Sequence, residues 1–121
     1  MEKLQFLVNE FKKHAKDEYP NECCGIVTKD FNYIRCSNIS PDPINSFILD
    51  PEKMIEYEDE CWGIFHSHPD DEPTPSSLDG KKIACEDFKY LVGWEDDIYL
   101  YWYDNSLNCT LFKTFDESCL K

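Results

Sequence analysis

An uninterrupted apolar run at residues 62–65 leads directly into the motif His-Ser-His-Pro at 66–69, and this junction most constrains the fold. Such a run is typical of a strand covered on both faces. Residues i and i+2 of a strand point to the same side, so His66 and His68 are expected to present both imidazoles to one point. Ten residues separate His68 from Asp79, enough for the loop to double back with a carboxylate. Two imidazoles and one carboxylate leave a fourth tetrahedral position open, as in catalytic zinc sites.

Each part of this pattern also has a simpler interpretation. A His-x-His pair alone is weak evidence of a metal. Ser76 and Asp79 have the spacing of a helix capping box, in which the acid reaches back to the backbone. The acids at 70–72 are possible extra ligands, but consecutive acids on a proline-rich loop are usually solvated. A closed structural zinc site usually has four Cys or His ligands. Only the combination of histidines at a strand end with a carboxylate at a helix start favours a catalytic metal site.

The remaining pattern predicts one α/β domain over residues 1–121, with a mixed sheet and flanking helices. Helices are predicted at 2–18, at 51–60 and from Ser76 to about residue 86. Pro20 follows the first, and Asp50-Pro51 is a favourable start for the second. Strand-like runs are predicted at 23–27, 33–39, 46–49, 62–65, 88–94, 97–103 and 108–115. A hairpin turn is predicted at 29–32, with Asn32 as its best turn former, and another at 104–105.

Charge and cysteine content exclude several classes of partner. The formal net charge is -13, so the surface repels phosphate backbones and anionic lipid, and neither nucleic acid nor a membrane surface is an expected partner. No apolar run approaches the ~20 residues of a membrane span. The seven cysteines include no C-x-x-C pair, and the N-terminus does not read as a signal peptide. These features predict reduced, mostly buried thiols in a cytoplasmic protein.

The pattern H-S-H-P-x5-P-S-x-x-D, together with an earlier Glu, resembles the signature of the JAMM (Mov34/JAB, catalytically competent MPN) zinc metallopeptidases. Longer stretches at 14–25 and 46–52 are similar to the N-terminal domain of one branch, the tail-assembly protein K group of lambda-type phages. The resemblance covers most of residues 10–87 and fades after 88. It implies an MPN/JAB-like (cytidine-deaminase-like) α/β fold with a mixed β-sheet flanked by helices.

Carried onto this sequence, the resemblance implies one Zn²⁺ per chain, held by His66, His68 and Asp79 with water as the fourth ligand. Glu22 would be the general base that takes the water's proton and passes it to the leaving amine. Ser76 would orient the site and hydrogen-bond the oxyanion of the tetrahedral intermediate.

The assignment of Glu22 has a physical basis as well as rivals. Glu22 begins an apolar run, so its carboxylate is expected in a low-dielectric cleft, where catalytic bases are tuned. The simpler interpretation is that it only caps a strand edge. Glu10 and Glu18 are rival carboxylates. Glu10, however, is at an exposed helix position, and Glu18 lies at the end of the predicted helix, just before Pro20.

The resemblance implies a metallopeptidase or isopeptidase that hydrolyses an amide bond with a metal-activated water. The expected settings are phage tail assembly or the processing of a ubiquitin-like (β-grasp) protein tail. The alternatives are a peptidoglycan or small-peptide hydrolase and a non-catalytic MPN scaffold module. All five motif residues are present, which argues against the scaffold.

Members of the protein K group usually continue into a second, NlpC/P60-type cysteine peptidase domain. A length of 121 residues leaves no room for it, so we expect any such partner on a separate chain. The expected location is the cytoplasm, which means the host cytoplasm or the virion tail if the chain is phage-encoded.

Overall fold

The computed structural model describes residues 2–76, 79, 80, 83 and 87–120. The described elements are α1 (Glu2–Glu18), β1 (Cys24–Thr28), β2 (Tyr33–Cys36), α2 (Pro51–Tyr57), a 3-10 helix (Glu58–Glu60), β3 (Cys61–Ser67), β4 (Lys89–Trp94), β5 (Asp97–Asp104), β6 (Cys109–Thr114) and a second 3-10 helix (Glu117–Leu120). The six strands described here form one sheet in the order β2-β1-β3-β4-β5-β6. The pair β3–β4 is parallel and the other pairs are antiparallel, so the predicted mixed sheet with flanking helices is confirmed.

Both faces of β3 are covered, as its apolar sequence predicts. On one face, helix α1 buries Leu7, Phe11 and Ala15, and the Phe11 ring stacks on Phe65 with centroids 4.2 Å apart. The opposite face carries a second apolar cluster, in which Ile64 lies beneath residues of the 37–50 segment and of α2. This second layer brings the 37–50 segment over the carboxyl end of β3, where the histidines lie.

The boundaries of several elements differ from the predictions. Strand 33–39 ends at Cys36, and the 46–49 run contributes only one isolated bridge, between Asn38 and Leu49. The Asn38 side chain explains this, because its Oδ1 accepts the backbone N–H groups of Ser40 and Ile48, which a continuing strand would use in a ladder. The predicted helix 51–60 is α-helical to Tyr57 and ends in a 3-10 turn.

Two other predictions have mixed outcomes at the ends of elements. Asp50 caps α2 as predicted, accepting the Glu52 N–H at 3.0 Å. In the 29–32 turn, however, Phe31 and not Asn32 takes the left-handed conformation, with φ of 62°. The Phe31 ring packs edge-on against Trp62 at 5.3 Å, and this burial offsets the backbone strain.

The prediction that the cysteines are mostly buried is confirmed where the structure describes them. Cys109 is exposed, and the buried cysteines are Cys23, Cys24, Cys36, Cys61 and Cys119. The predicted helix from Ser76 to about residue 86 lies largely outside the described residues; Asp79 and Gly80 are helical, whereas Ile83 is not. In the described part of the chain, none of the helices has the length and apolarity to cross a bilayer.

Candidate metal centre

The carboxyl end of β3 brings two imidazoles together, as the spacing of two residues predicts. The Nε2 atoms of His66 and His68 are 3.1 Å apart. His66 is fully buried, because its strand position is flanked by Cys24 of β1 and Val92 of β4. Its ring stacks on Phe47 at 4.3 Å, so the layer above the sheet fixes the orientation of the imidazole.

A tight turn after the strand sets the orientation of His68. Asp70 has a φ of 55°, and the Asp71 N–H donates to the His68 carbonyl at 3.3 Å, as in a turn with proline at its second position. The His68 Nδ1 lies 3.1 Å from the Glu72 carbonyl. A carbonyl only accepts, so Nδ1 carries a hydrogen. When the ring is protonated, Nε2 donates to Asp79, and when the ring is neutral, the Nε2 lone pair is available to a ligand.

Asp79 completes a compact donor group. Its Oδ1 lies 3.4 Å from the His66 Nε2, and its Oδ2 lies 3.2 Å from the His68 Nε2. The capping-box interpretation is also correct: the Ser76 N–H donates to Asp79 Oδ2 at 2.8 Å, and the Asp79 N–H donates to Ser76 Oγ at 3.2 Å. The two interpretations are compatible, because the cap fixes the carboxylate in the position from which it contacts both rings.

The electrostatics of the group follow from this proximity. Burial opposes the charge on Asp79, but the hydrogen bonds from His66 and His68 outweigh it and hold the pKa of the carboxyl far below its usual range. Burial likewise opposes the charge on His68, but the hydrogen bond to Asp79 prevails and raises the pKa of this imidazole. An ionised carboxylate that attracts positive charge at this point is the environment in which a cation binds.

Glu22 lies beside the same group and is only 8% exposed. One of its carboxylate oxygens and one ring nitrogen from each histidine lie within 4.8 Å of one another. Its backbone is fixed on both sides, because its N–H donates to the Pro43 carbonyl at 2.7 Å and its carbonyl accepts from the Asn38 side-chain amide at 2.9 Å.

Two different sets of three therefore share the histidines, one with Asp79 and one with Glu22. The donors of the Asp79 set are 3.1–3.4 Å apart, whereas those of the Glu22 set are bounded only by 4.8 Å. A tetrahedral zinc with ligands about 2.0–2.1 Å away needs donors about 3.3–3.4 Å apart. The Asp79 contacts have about this length, with Oδ1 facing His66 and Oδ2 facing His68. The Glu22 carboxylate oxygen lies within 4.8 Å of both histidine nitrogens.

The remaining predicted residues lie at the edge of the site. Ser76 is exposed and borders a cavity of about 300 Å³ that Glu22, His68 and Asp79 also line. The acids at 70–72 are exposed. Among the described residues, the cluster that Glu22 forms with the two histidines does not include them. Glu18, the rival base, is exposed on α1 and is likewise outside that cluster.

Sequence reasoning missed two residues that support the site. Ser67 lies between the histidines on the opposite face, where its Oγ accepts the Cys23 N–H at 2.8 Å and thereby ties the residue after Glu22 to β3. The Asn38 amide donates to the carbonyls of Glu22 and Ser46 at 2.9 and 3.0 Å. A serine inside an otherwise apolar strand was an available signal, whereas nothing in the sequence around Asn38 indicated its role.

The mixed sheet with its flanking helices is the fold of a JAB domain. Residues 5–104 match the family model of prokaryotic homologs of the JAB domain, and the chain therefore belongs to this family. Among curated proteins, the chain is 40% identical over 89 residues to the tail tip assembly protein K of Escherichia phage N15, a match that spans 68% of this chain and 35% of that protein. It is 25% identical over 99 residues to the desampylase of Haloferax volcanii, covering 71% of each chain.

Solved structures support the same fold. A protein from Desulfitobacterium hafniense superposes with a TM-score of 0.72 at 20% identity, over 90% of this chain and 86% of that one. A protein from Salinibacter ruber gives a TM-score of 0.53 at 17% identity, over 93% and 86%. At these identities, the similarity concerns the fold alone.

The two interpretations of Ser76 make different predictions for the Ser76→Ala variant. Its Oγ accepts the Asp79 N–H, which leaves its own hydrogen able to donate to a substrate oxyanion. If it does so, turnover should fall by up to ~10²–10³. Loss of the cap alone should cost ~1 kcal/mol of stability with catalysis intact. Thermal unfolding and turnover of the zinc-loaded variant, measured together, separate the two roles, with the adjacent Ser77→Ala as the matched control.

Proposed function

We propose that this chain is a zinc-dependent hydrolase of the JAMM type, which cleaves a peptide or isopeptide bond, and that residues 1–121 act as a single JAB domain. The observation that carries the proposal is the spacing of His66, His68 and Asp79, whose donor atoms are 3.1–3.4 Å apart with the Glu22 carboxylate beside them. A site with only three protein ligands leaves a coordination position for water or substrate, as catalytic zinc sites require.

The proposed division of labour follows from where each side chain lies. Zinc, when bound by the two histidines and Asp79, would lower the pKa of a water molecule and polarise the substrate carbonyl. Glu22 would accept the proton of the attacking water and deliver it to the leaving amine, which its burial and fixed backbone favour. The Ser76 hydroxyl, on the cavity rim, would donate a hydrogen bond to the carbonyl oxygen as negative charge develops there.

We propose an extended, Gly-containing tail or isopeptide as the substrate. An extended segment can add to the edge of a sheet and hold its scissile carbonyl over the site through backbone hydrogen bonds. Glycine at the cut lets the backbone approach closely without a clash. The similarity to an archaeal desampylase supports an isopeptidase that acts on a ubiquitin-like (β-grasp) tail, and the net charge of -13 favours neutral or basic tails.

The test is a set of matched peptides and a β-grasp fusion, incubated with the zinc-loaded protein at low and high salt. We expect cleavage of Gly-containing tails, slower cleavage when Asp is added to the same tail, and a smaller difference at high salt because salt screens the charges. Chelated protein is the control. Efficient release of muropeptide stems without cleavage of any extended tail would overturn this proposal in favour of a cell-wall hydrolase.

A setting in phage tail assembly is supported by the similarity to the N15 tail tip protein. The chain covers only 35% of that protein, so the activity of the whole relative is not transferred here. We propose that this JAB domain acts in the host cytoplasm or the virion tail, with any NlpC/P60-type peptidase on a separate chain. The competing scaffold function predicts that the zinc-loaded protein cleaves no substrate, which the peptide assay described above tests directly.

A further inference from the structure

The cleft beside the donor group has two walls of different chemistry. Segment 44–47 forms one wall, where Ile44 is 55% exposed. Segment 68–71 forms the other wall and presents the exposed side chains of Asp70 and Asp71. Glu22 and Asp79 line the same cavity of about 300 Å³, so a bound chain whose scissile bond lies at these residues would contact both walls.

Hydrogen bonds on either side of Ile44 hold the apolar wall in place. The carbonyl of Pro43 accepts the Glu22 N–H at 2.7 Å, so Ile44 follows directly after the residue bonded to the proposed base. Past Ile44, the backbone N–H groups of Asn45 and Ser46 donate to the Asp42 carbonyl at 3.2 and 3.0 Å. An apolar side chain on a backbone fixed in this way can bury a ligand side chain without a large ordering cost.

The acidic wall is fixed by different contacts. The Tyr19 hydroxyl donates to Asp70, and the Tyr19 ring stacks on Trp94 at 5.8 Å. Asp71 accepts the Glu72 N–H with one oxygen at 2.8 Å, and its side chain is exposed. Asp70 is thus held by Tyr19 of another segment, whereas the described partner of Asp71 is the next residue of its own loop. The Asp71 carboxylate is therefore the one that a cationic side chain can reach.

We propose that the cleft selects an extended chain that places an apolar side chain against Ile44 and a cationic side chain against Asp71. This inference rests on the function proposed above and adds to it the identity of the residues that flank the cut. Burial of an apolar side chain against Ile44 corresponds to about tenfold discrimination between leucine and serine. The contact with Asp71 is exposed, so the preference for lysine over aspartate should be a few-fold and should decrease with salt.

The experiment uses fluorescent peptides that share a Gly-containing core and differ at one flanking residue on each side. Leucine is exchanged for serine and lysine for aspartate, each on either side of the core. We would measure kcat/KM with the zinc-loaded wild type and the Ile44→Ser and Asp71→Asn variants. The matched controls are Ile55→Ser, on the 75% exposed isoleucine of α2, and Asp59→Asn, since neither residue lines the cleft. Anisotropy with zinc-loaded Glu22→Gln measures peptide affinity without cleavage.

We expect the wild type and both controls to cleave the leucine peptide about tenfold more efficiently than the serine peptide. The Ile44→Ser variant should cleave these two peptides with equal efficiency. Asp71→Asn should lose only the preference for lysine. An unchanged leucine preference in Ile44→Ser, or no preference in the wild type, overturns the proposal. Cleavage without preference would contradict the proposed selectivity but agree with the proposed hydrolase function. Selective binding without any cleavage would contradict the hydrolase function but agree with the selectivity. The absence of both binding and cleavage would overturn both.

Discussion

Turnover by the Glu22→Gln variant is expected to fall by roughly 10²–10⁴ while the zinc content stays at the wild-type level. The amide keeps the size of the side chain but cannot accept a proton at neutral pH. The backbone contacts of Glu22 to Pro43 and Asn38 do not involve its carboxylate, so they are retained in the variant. The loss should therefore appear in kcat and leave the fold intact, as a thermal melt would show.

Glu18→Gln is the matched control, because Glu18 is the rival carboxylate and is exposed on α1. It should cleave substrate at the wild-type rate. Loss of zinc from Glu22→Gln would make Glu22 a ligand, as its place within 4.8 Å of both histidine nitrogens permits. Unchanged turnover would assign it a purely structural role at the start of β1.

The second large effect concerns the metal itself. The protein purified without chelator should carry about one zinc per chain, and chelation should lower its melting temperature. A ligand at 100 times its dissociation constant adds ~2.7 kcal/mol to stability. His68→Ala and Asp79→Asn should abolish this metal-dependent shift, because each removes or neutralises a donor in the group spaced at 3.1–3.4 Å.

Asp79→Asn is the more informative of these variants. The amide oxygen can still accept the Ser76 N–H, so the cap persists while the charge is lost. Asp71→Asn provides the control from the neighbouring acidic loop and should keep its zinc. If His66→Ala, His68→Ala and Asp79→Asn all bind zinc like the wild type, the assignment of the metal site is wrong. Loss of zinc in Asp71→Asn would instead bring the acidic loop into the ligand set.

The local parts of the site could be predicted from the sequence, because strand and cap geometry depend only on neighbouring residues. The alternation of a strand puts His66 and His68 on one side, and the observed Nε2 separation of 3.1 Å agrees with this. The spacing of Ser76 and Asp79 predicts a capping box, which is present. The functions assigned to these residues remain predictions until metal content and turnover are measured.

Only the tertiary structure decided which distant residues join the histidines. Glu22 reaches the site because β1 pairs antiparallel with β3, with Cys24 opposite His66, and no local rule specifies that register. The same holds for Phe47, which stacks on His66, and for Asn38, whose amide joins the Glu22 backbone to the loop that forms the apolar wall. Sequence alone therefore determined the donor types and their local geometry. Packing of the 37–50 segment over the sheet determined the position of the base and the shape of the cleft, because these depend on contacts between residues far apart in the chain.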